Sequence, residues 1–258
     1  MKLYFKYISM HLRSQMQYKS QFFLSTLGQF LVAFGTFLGL QFLFDRFDHV
    51  GGFAYEEVLI GFAVMMLAFS ASELIGRGFD RFPILLGNGG FDRVLVRPRN
   101  EIFQVLASQV EFTRLGRFVQ AVAVLVYALP RTGIDWTWDK IAVLCLMIAC
   151  GALVFFGLFM VYASFTFFTV QGLEFMNILT DCSREHGRLP FGVYGDGILK
   201  FLTYVVPLAL IQYYPLLYLV GRTDQVRFAL APLASLIFLV PCWAFFRFGL
   251  RHYKSTGS

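Results

Sequence analysis

Six long apolar segments run along the chain, and polar and charged residues are concentrated between them. A helix of ~20 apolar residues crosses the hydrocarbon core of a bilayer, which is about 30 Å thick, and each segment is close to that length. The pattern predicts an all-α integral membrane protein with six transmembrane helices in a single domain over residues 1–258. The predicted spans lie near residues 22–44, 58–74, 110–129, 141–170, 200–220 and 228–246.

Residues 1–20 show a different pattern, with apolar and basic positions on separate sides of a helical wheel. One side carries Tyr4, Phe5, Ile8, Leu12 and Met16, and another carries Lys2, Lys6 and Arg13. This arrangement is typical of an amphipathic helix that lies in the membrane interface. A cytosolic extension of the first span is the alternative.

The fifth apolar segment contains Pro207 and Pro215. Each proline removes a backbone donor and bends or breaks a membrane helix unless neighbours satisfy the freed carbonyl groups. We therefore expect a bent or broken helix here. Such prolines are common in membrane helices, so a role in packing alone is the alternative.

The third apolar segment is longer than a bilayer requires, because residues 102–129 contain no proline before Pro130. At 1.5 Å per residue, one helix over this range exceeds the hydrocarbon core. Its first part is then expected to project into the cytoplasm. Glu111 and Arg114, three residues apart, can pair there on one helix face. A solvated helix end without a function is the alternative to a role in docking.

Composition supports the membrane assignment. Only 15% of the residues are charged and 57% are hydrophobic, whereas soluble domains carry roughly 25% charged residues. Three of the four cysteines, Cys145, Cys150 and Cys242, lie within apolar runs, where cysteine behaves as a small hydrophobic residue. The sequence therefore implies neither a disulfide framework nor a metal site.

The basic residues are distributed unevenly across the predicted membrane. The segments after the first, third and fifth spans hold five of them, and the other side holds seventeen of the twenty-two, Arg188 among them. The positive-inside rule places the second group, and with it both termini, in the cytoplasm. The net charge of +6 is then a signal of topology, and we expect no nucleic acid partner.

The loop between the second and third spans contains a short amphipathic element. A flexible break at residues 87–90 is followed by apolar and charged positions, and Pro98 closes the element. The apolar positions are Phe91, Val94, Leu95 and Val96, and the charged ones are Asp92, Arg93, Arg97 and Arg99. Such a helix suits docking into a partner's groove, with Phe91 as an anchor. Anchoring of the membrane face by basic residues is the alternative.

The run Gly90-Phe91-Asp92-Arg93-Val94-Leu95-Val96-Arg97-Pro98 resembles the loop after the second span in permeases of type 2 ABC exporters (ABC-2), in a branch known only as a domain of unknown function. Similar residues recur elsewhere in that branch: Leu115-Gly116-Arg117 with Gln120, Gln171-Gly172-Leu173-Glu174, Val206-Pro207-Leu208-Ala209 and Tyr213-Tyr214-Pro215. Between residues 181 and 197 only Pro190 matches.

The resemblance implies the permease subunit of an ATP-driven exporter in the bacterial cytoplasmic (inner) membrane. It implies that the loop element is the coupling helix, which fits into a cleft of the ATPase through Phe91, Asp92, Arg93, Leu95, Arg97 and Pro98. It further implies two copies of a separate P-loop ATPase that bind ATP and magnesium, no cofactor in this chain, and a second permease that is a paralogue or this chain itself.

The chain has no ATPase motif of its own. A P-loop ends in Gly-Lys-Ser or Gly-Lys-Thr, and none of the six lysines follows a glycine. The main alternative is a secondary transporter, which normally uses an intramembrane carboxylate or histidine. We expect the six apolar runs, residues 22–44, 58–74, 115–129, 141–170, 201–220 and 228–246, to hold no Asp, Glu, Lys, Arg or His, which argues against ion coupling, although carbonyl groups alone can bind sodium.

Two further alternatives are a membrane-embedded enzyme and a purely structural membrane protein. An enzyme would need paired carboxylates, a histidine cluster or a nucleophile with its base, and the four histidines are scattered in flanking segments. A structural protein would leave the docking element unexplained. We therefore favour a permease that is not itself an enzyme.

Aromatic residues are the candidates for the transport path. The proposed gating positions are Pro207, Tyr213, Tyr214 and Pro215, and further candidate lining residues are Phe30, Phe34, Phe37, Tyr204 and Tyr218. An aromatic lining suits hydrophobic, cationic or lipid-like cargo. Membrane lipids are expected as partners of any such membrane protein. Packing between helices is the alternative role of these side chains.

Overall fold

Long helices account for most of the structure, a computed structural model that describes residues 2–169, 185 and 187–254. No strand is present in these ranges. The α-helices are α1 (Lys2–Gln15), α2 (Lys19–Phe44), α3 (Tyr55–Asp80), α4 (Phe82–Gly87), α5 (Gly90–Leu95), α6 (Glu101–Ser108), α7 (Leu115–Ala128), α8 (Trp138–Phe165), α9 (Asp196–Tyr204), α10 (Tyr213–Leu219), α11 (Val226–Ala229), α12 (Ala231–Ser235) and α13 (Leu239–His252). Short 3₁₀ turns occupy Met16–Tyr18, Phe112–Arg114, Leu129–Arg131, Phe191–Tyr194 and Leu236–Phe238.

Five helical stretches of the described chain are long and apolar enough to cross a membrane. They are Tyr4–Phe44, Tyr55–Gly87, Phe112–Arg131, Trp138–Phe165 and Ala231–His252. The first four predicted spans and the sixth therefore correspond to helices, although the predicted end at residue 170 lies outside the described residues. The fifth predicted span, near residues 200–220, is not one continuous helix.

Helix α3 is the centre of the bundle and packs against α7 and α8. In the stretch that contains α3, 83% of the most apolar 18 residues are buried, whereas in the stretch that contains α2 only 11% of the corresponding residues are buried. Helix α2 meets the rest of the chain mainly through α7. Gly116 makes that contact possible, because a β-carbon there would collide with the backbone carbonyl of Thr26. Most of the α2 surface is thus left uncovered by this chain.

The bundle has two ends. We call the end formed by residues 2–15, 82–108 and 249–254 the terminal face, and the end formed by residues 45–54, 129–137 and 220–225 the opposite face. Arg222 connects two segments at the opposite face. Its guanidinium donates to the Gly52 carbonyl at 2.6 Å and to the Glu57 carboxylate at 2.9 Å. It also lies 3.9 Å from the centre of the Phe53 ring.

Helix α1 packs along α6 on the terminal face. The rings of Tyr4 and Phe103 are 6.1 Å apart, and the His11 Nε2 lies 3.1 Å from the Ala107 carbonyl oxygen. The chain changes direction between α1 and α2 at Tyr18, whose φ of −110° and ψ of 73° are not helical. The side of α1 that faces the protein includes Tyr4 and the polar His11. Phe5 and Leu12 are exposed.

The prediction of one uninterrupted helix over residues 102–129 is wrong. The helix ends at Ser108, and Gln109 is extended, with φ of −150° and ψ of 130°. The freed backbone groups find a partner in α1, because the Gln15 amide donates to the Val110 carbonyl at 2.5 Å and accepts from the Phe112 N–H at 3.0 Å. This side chain replaces the hydrogen bonds that a continuous helix would make.

The fifth apolar segment is broken at Pro207, as predicted, whereas Pro215 lies in the first turn of a helix and does not break it. Helices α9 and α10 are separated by residues 205–212, where the Ala209 N–H donates to the Leu202 carbonyl at 2.8 Å and closes a turn. The side chains of Ile211 and Ala68 both lie against Gly151, near the midpoints of α3 and α8. Residues 193–222 begin beside Gly51 and end at Arg222, so the segment enters the bundle from the opposite face and returns there.

Arg188 lies at the opposite face, which corrects its predicted position on the side of the termini. It lines a cavity with Leu40 and Leu43 from the last turns of α2. The adjoining chain is held there because the Gln212 amide donates to the Gly187 carbonyl at 2.8 Å. Arg188 pairs with Glu185, and both side chains are partly exposed.

Candidate functional site

The loop helix α5 is attached to the bundle by an aromatic cluster on the terminal face. Gly89, with φ of +64°, forms the left-handed turn that separates α5 from α4. The Phe91 ring is fully buried and lies 5.0 Å from Phe82, 5.6 Å from Phe167 and 5.2 Å from Tyr253, measured between ring centres. One side of α5 is therefore part of the protein core.

Phe91 consequently offers no apolar anchor at the surface, and the expectation that it docks into a partner is wrong for this side chain. Edge-on packing in a cluster of rings explains why it turns inward. The exposed apolar side chains of the element are Leu95 and Val96, and Val96 is 82% exposed. Of the other predicted coupling residues, Arg93, Arg97 and Pro98 are exposed and Asp92 is half-buried.

The segment after α5 is fixed by hydrogen bonds from α6. The Gln104 amide donates to the carbonyl groups of Val94 and Arg99, at 3.0 Å in each case. Asn100 caps the start of α6 by accepting from the Phe103 N–H at 3.3 Å. These bonds hold the turn that carries Arg97 and Pro98 against the start of α6.

Glu73 lies at the centre of a buried ion-pair cluster between α3 and α7. Its carboxylate is 3.0 Å from the Arg117 guanidinium, 3.5 Å from that of Arg114 and 3.7 Å from that of Arg77. Only 6% of the Glu73 side chain is exposed. A carboxylate buried to this degree is stable only when it is paired.

Glu111 joins the cluster from the break between α6 and α7. Its carboxylate is 2.6 Å from the Nε of Arg77 and 3.7 Å from Arg114. The predicted pair of Glu111 with Arg114 is thus present, but it forms in the break before α7 and not on one helix face. Burial raises the pKa of the Glu111 carboxyl, but the guanidinium groups of Arg77 and Arg114 outweigh burial and hold the pKa below its ordinary value. Asp80 also pairs with Arg77.

Glu73 and Arg117 overturn the expectation that the six apolar runs contain no ionisable residue. Glu73 lies in the second run and Arg117 in the third. Both are near the ends of their runs at the terminal face, and they pair with each other. The spacing of Glu73 and Arg77 by four residues on one helix was a visible signal of pairing.

The four proposed gating residues lie together in the segment that enters from the opposite face. Pro207 and Pro215 are buried. The Tyr213 ring lies 6.3 Å from Phe53 and 5.4 Å from Tyr214. The segment thus has an aromatic wall on the side of the opposite face, away from α5.

The other positions highlighted by the sequence have mixed outcomes. The Gln120 amide is buried and has no hydrogen-bond partner among the residues that the structure describes. Tyr204 is 84% exposed, which does not favour a lining role within this chain. Residues 171–174 lie outside the described part. In the described ranges, no group of three or more His, Cys, Asp or Glu residues could hold a metal ion.

Comparison with protein families decides the identity of the chain. A family model described as ABC-2 family transporter protein matches residues 30–257. The chain belongs to the ABC-2 transporter family. This ABC-2 protein is a multi-pass membrane component, a permease rather than a catalytic subunit, and its family implies a partner ABC ATPase. Neither the curated proteins nor the solved structures contained a significant match.

Proposed function

We propose that this ABC-2 permease forms the path for ATP-driven export of a hydrophobic, cationic or lipid-like compound. Two copies of a separate P-loop ATPase bind ATP and magnesium and supply the energy. The path lies between two permeases, either two copies of this chain or this chain and a paralogue. The uncovered surface of α2 supports a second permease, because its apolar window is only 11% buried within one chain.

The terminal face is cytoplasmic in this proposal, with both termini inside a bacterial inner membrane. The basic side chains of Arg93, Arg97 and Arg99 on this face support that orientation. Cysteine labelling in a background without native cysteines tests it. Positions 48, 135 and 188 are expected to react from outside the cell and position 93 only from the cytoplasm. Labelling of position 93 from outside contradicts the orientation.

Helix α5 is the coupling helix of the proposal, and its two different sides are the observation that carries it. Phe91 and Val94 are buried in the bundle, whereas Leu95 and Val96 are exposed beside Arg93 and Arg97. A partner that pushes on the outer side moves α5 together with the core to which Phe91 is packed. Asp92 and Pro98 are assigned to the same coupling element.

Residues 205–215 form the proposed gate on the opposite side of the bundle. Pro207 interrupts the helix near the middle of the bundle, and Tyr213, Tyr214 and Pro215 begin its return. A broken helix can change direction with the loss of few hydrogen bonds. The Tyr213 ring packs edge-on against Phe53, at 6.3 Å between ring centres, and this contact supports the choice of Tyr213 as a gating residue.

Transport by isolated complexes tests the function and its main alternative, an ion-coupled secondary transporter. Purification of the tagged chain is expected to recover a P-loop ATPase, and export into inverted vesicles is expected to require hydrolysable ATP. Export should persist when ionophores abolish the proton and sodium gradients. Transport that needs a gradient and no ATP contradicts the proposal.

A further inference from the structure

A cleft of about 590 Å³ opens on the terminal face between α1, α5 and α6. Three of its lining residues are Arg93, Arg97 and Arg99, and none is acidic. Val94 and Phe103 form an apolar wall of the cleft. The cleft therefore combines a concentration of positive charge with an apolar side.

The three arginines form no ion pair with any residue that the structure describes, in contrast to Arg77, Arg114 and Arg117 in the buried cluster. Like charges around one cleft repel each other unless an anion lies between them. Guanidinium groups bind phosphate through paired, charge-assisted hydrogen bonds. A phosphate group is thus the ligand chemistry that complements the cleft.

The neighbouring helix points to the source of that phosphate. Tyr7 of α1 lines the cleft, while Phe5, Met10 and Leu12 of the same helix are exposed apolar side chains. A helix of this kind lies at the level of the lipid head groups. Basic pockets beside membrane helices are suited to anionic head groups at that level.

We propose that the cleft binds the phosphate-bearing head group of an anionic phospholipid. Arg93, Arg97 and Arg99 hold the phosphate, and Val94 and Phe103 face the apolar part of the lipid. Leu95 and Val96 do not line the cleft, so they stay available to an ATPase when a lipid is bound, whereas Arg93, Arg97 and Pro98 of the coupling element line the cleft as well. A lipid bound in the cleft would contact α1, α5 and α6 at once. This lipid-binding site goes beyond the proposed transport function.

Lipid binding to the purified full-length chain tests the proposal without any ATPase. Native mass spectrometry in detergent compares phosphatidylglycerol with phosphatidylcholine. The parent is expected to retain phosphatidylglycerol with an affinity on the order of tenfold higher or more. The triple variant Arg93→Gln, Arg97→Gln and Arg99→Gln is expected to lose this preference. Arg251→Gln, which removes an exposed charge of the terminal face outside the cleft, is expected to keep it.

Three outcomes overturn the proposal. One is equal retention of both lipids by the parent. Another is a triple variant that keeps the preference as fully as Arg251→Gln does, because general surface charge would then explain it. The third is tight, arginine-dependent binding of inorganic phosphate without any preference for phosphatidylglycerol, which would identify a soluble ligand. Arg97→Gln alone, with a partial loss expected, provides the test if the triple variant does not fold.

Discussion

The Tyr253 hydroxyl donates a hydrogen bond to the Asp92 carboxylate at 3.0 Å, although the two residues are 161 positions apart. Tyr253 follows the last helix, and Asp92 lies on the loop helix α5. The Tyr253 ring also packs on Phe91, at 5.2 Å between ring centres. The end of the chain therefore helps to hold the proposed coupling helix in place.

Tyr253→Phe removes this hydrogen bond and keeps the ring. A buried or half-buried hydrogen bond to a charged partner contributes about 1.5–3 kcal/mol, so we expect the variant to unfold at a lower temperature in detergent. Tyr204→Phe is the matched control, because Tyr204 is 84% exposed, and it should match the parent. Equal melting temperatures for both variants and the parent would show that the bond does not contribute to stability.

Phe91→Ala is expected to destabilise the fold itself. It leaves a cavity between Phe82, Phe167 and Tyr253, and loss of a buried aromatic side chain costs about 3–5 kcal/mol. Leu95→Ala, four residues along the same helix and exposed, should change stability by less than about 0.5 kcal/mol. Thermal unfolding in detergent compares the two, and similar melting temperatures would contradict the burial of Phe91.

The ion-pair cluster predicts a large effect of removing its central carboxylate. Glu73→Gln leaves three guanidinium groups with fewer negative partners, and breaking a buried pair costs about 3–5 kcal/mol. The double variant Glu73→Gln with Arg117→Gln should be less destabilised than the sum of the two single variants. If the decreases in melting temperature of the two single variants add up to that of the double variant, the two residues are not coupled.

The pH dependence of the Glu111 contribution has a definite sign. Because the folded-state pKa of Glu111 is lowered, its charge stabilises the fold at pH values above the ordinary pKa of 4.5 and this contribution is lost as the pH falls through the folded-state pKa. Glu111→Gln should therefore melt below the parent by a constant interval from pH 7 to pH 5. The interval should narrow below pH 4.5, and a widening interval would contradict the assignment.

Gly116→Ala tests the contact between α2 and α7. The added methyl group would collide with the Thr26 carbonyl, and overpacking typically costs about 1–3 kcal/mol. Gly35→Ala in α2 is the control, because a β-carbon there meets nothing within 4 Å. The control should be neutral or stabilising. If Gly116→Ala and Gly35→Ala melt at the same temperature in detergent, α2 and α7 do not approach each other closely at Gly116.

The sequence predicted the helices that depend on local pattern and missed features that depend on distant contacts. Helices α3 and α8 follow from apolar length alone. The break after Ser108 could not be predicted, because the side chain that satisfies the Val110 carbonyl is Gln15, 95 residues away. Pro207 signalled a broken fifth segment, but its return to the opposite face depends on packing near Gly151.

The candidate site was predictable to a similar degree. The alternation of apolar and basic residues identified α5, but apolar positions alone could not show which side faces the bundle. Phe91 turns inward because Phe167 and Tyr253, from distant parts of the chain, form the cluster around it. Glu73 was visible in the sequence, whereas its pairing with Arg114 and Arg117 required the packing of α3 against α7.

The most direct test of the account is ATP hydrolysis by the complex when the outer side of α5 is altered. The double variant Leu95→Asp and Val96→Asp places charge on that side without disturbing the buried Phe91, and Val226→Asp makes the same change at an exposed position near the opposite face. At equal expression, the double variant should lose recovery of the ATPase or its substrate-stimulated hydrolysis, while Val226→Asp should retain both. If the double variant binds the ATPase and hydrolyses ATP like the parent, α5 is not the coupling helix.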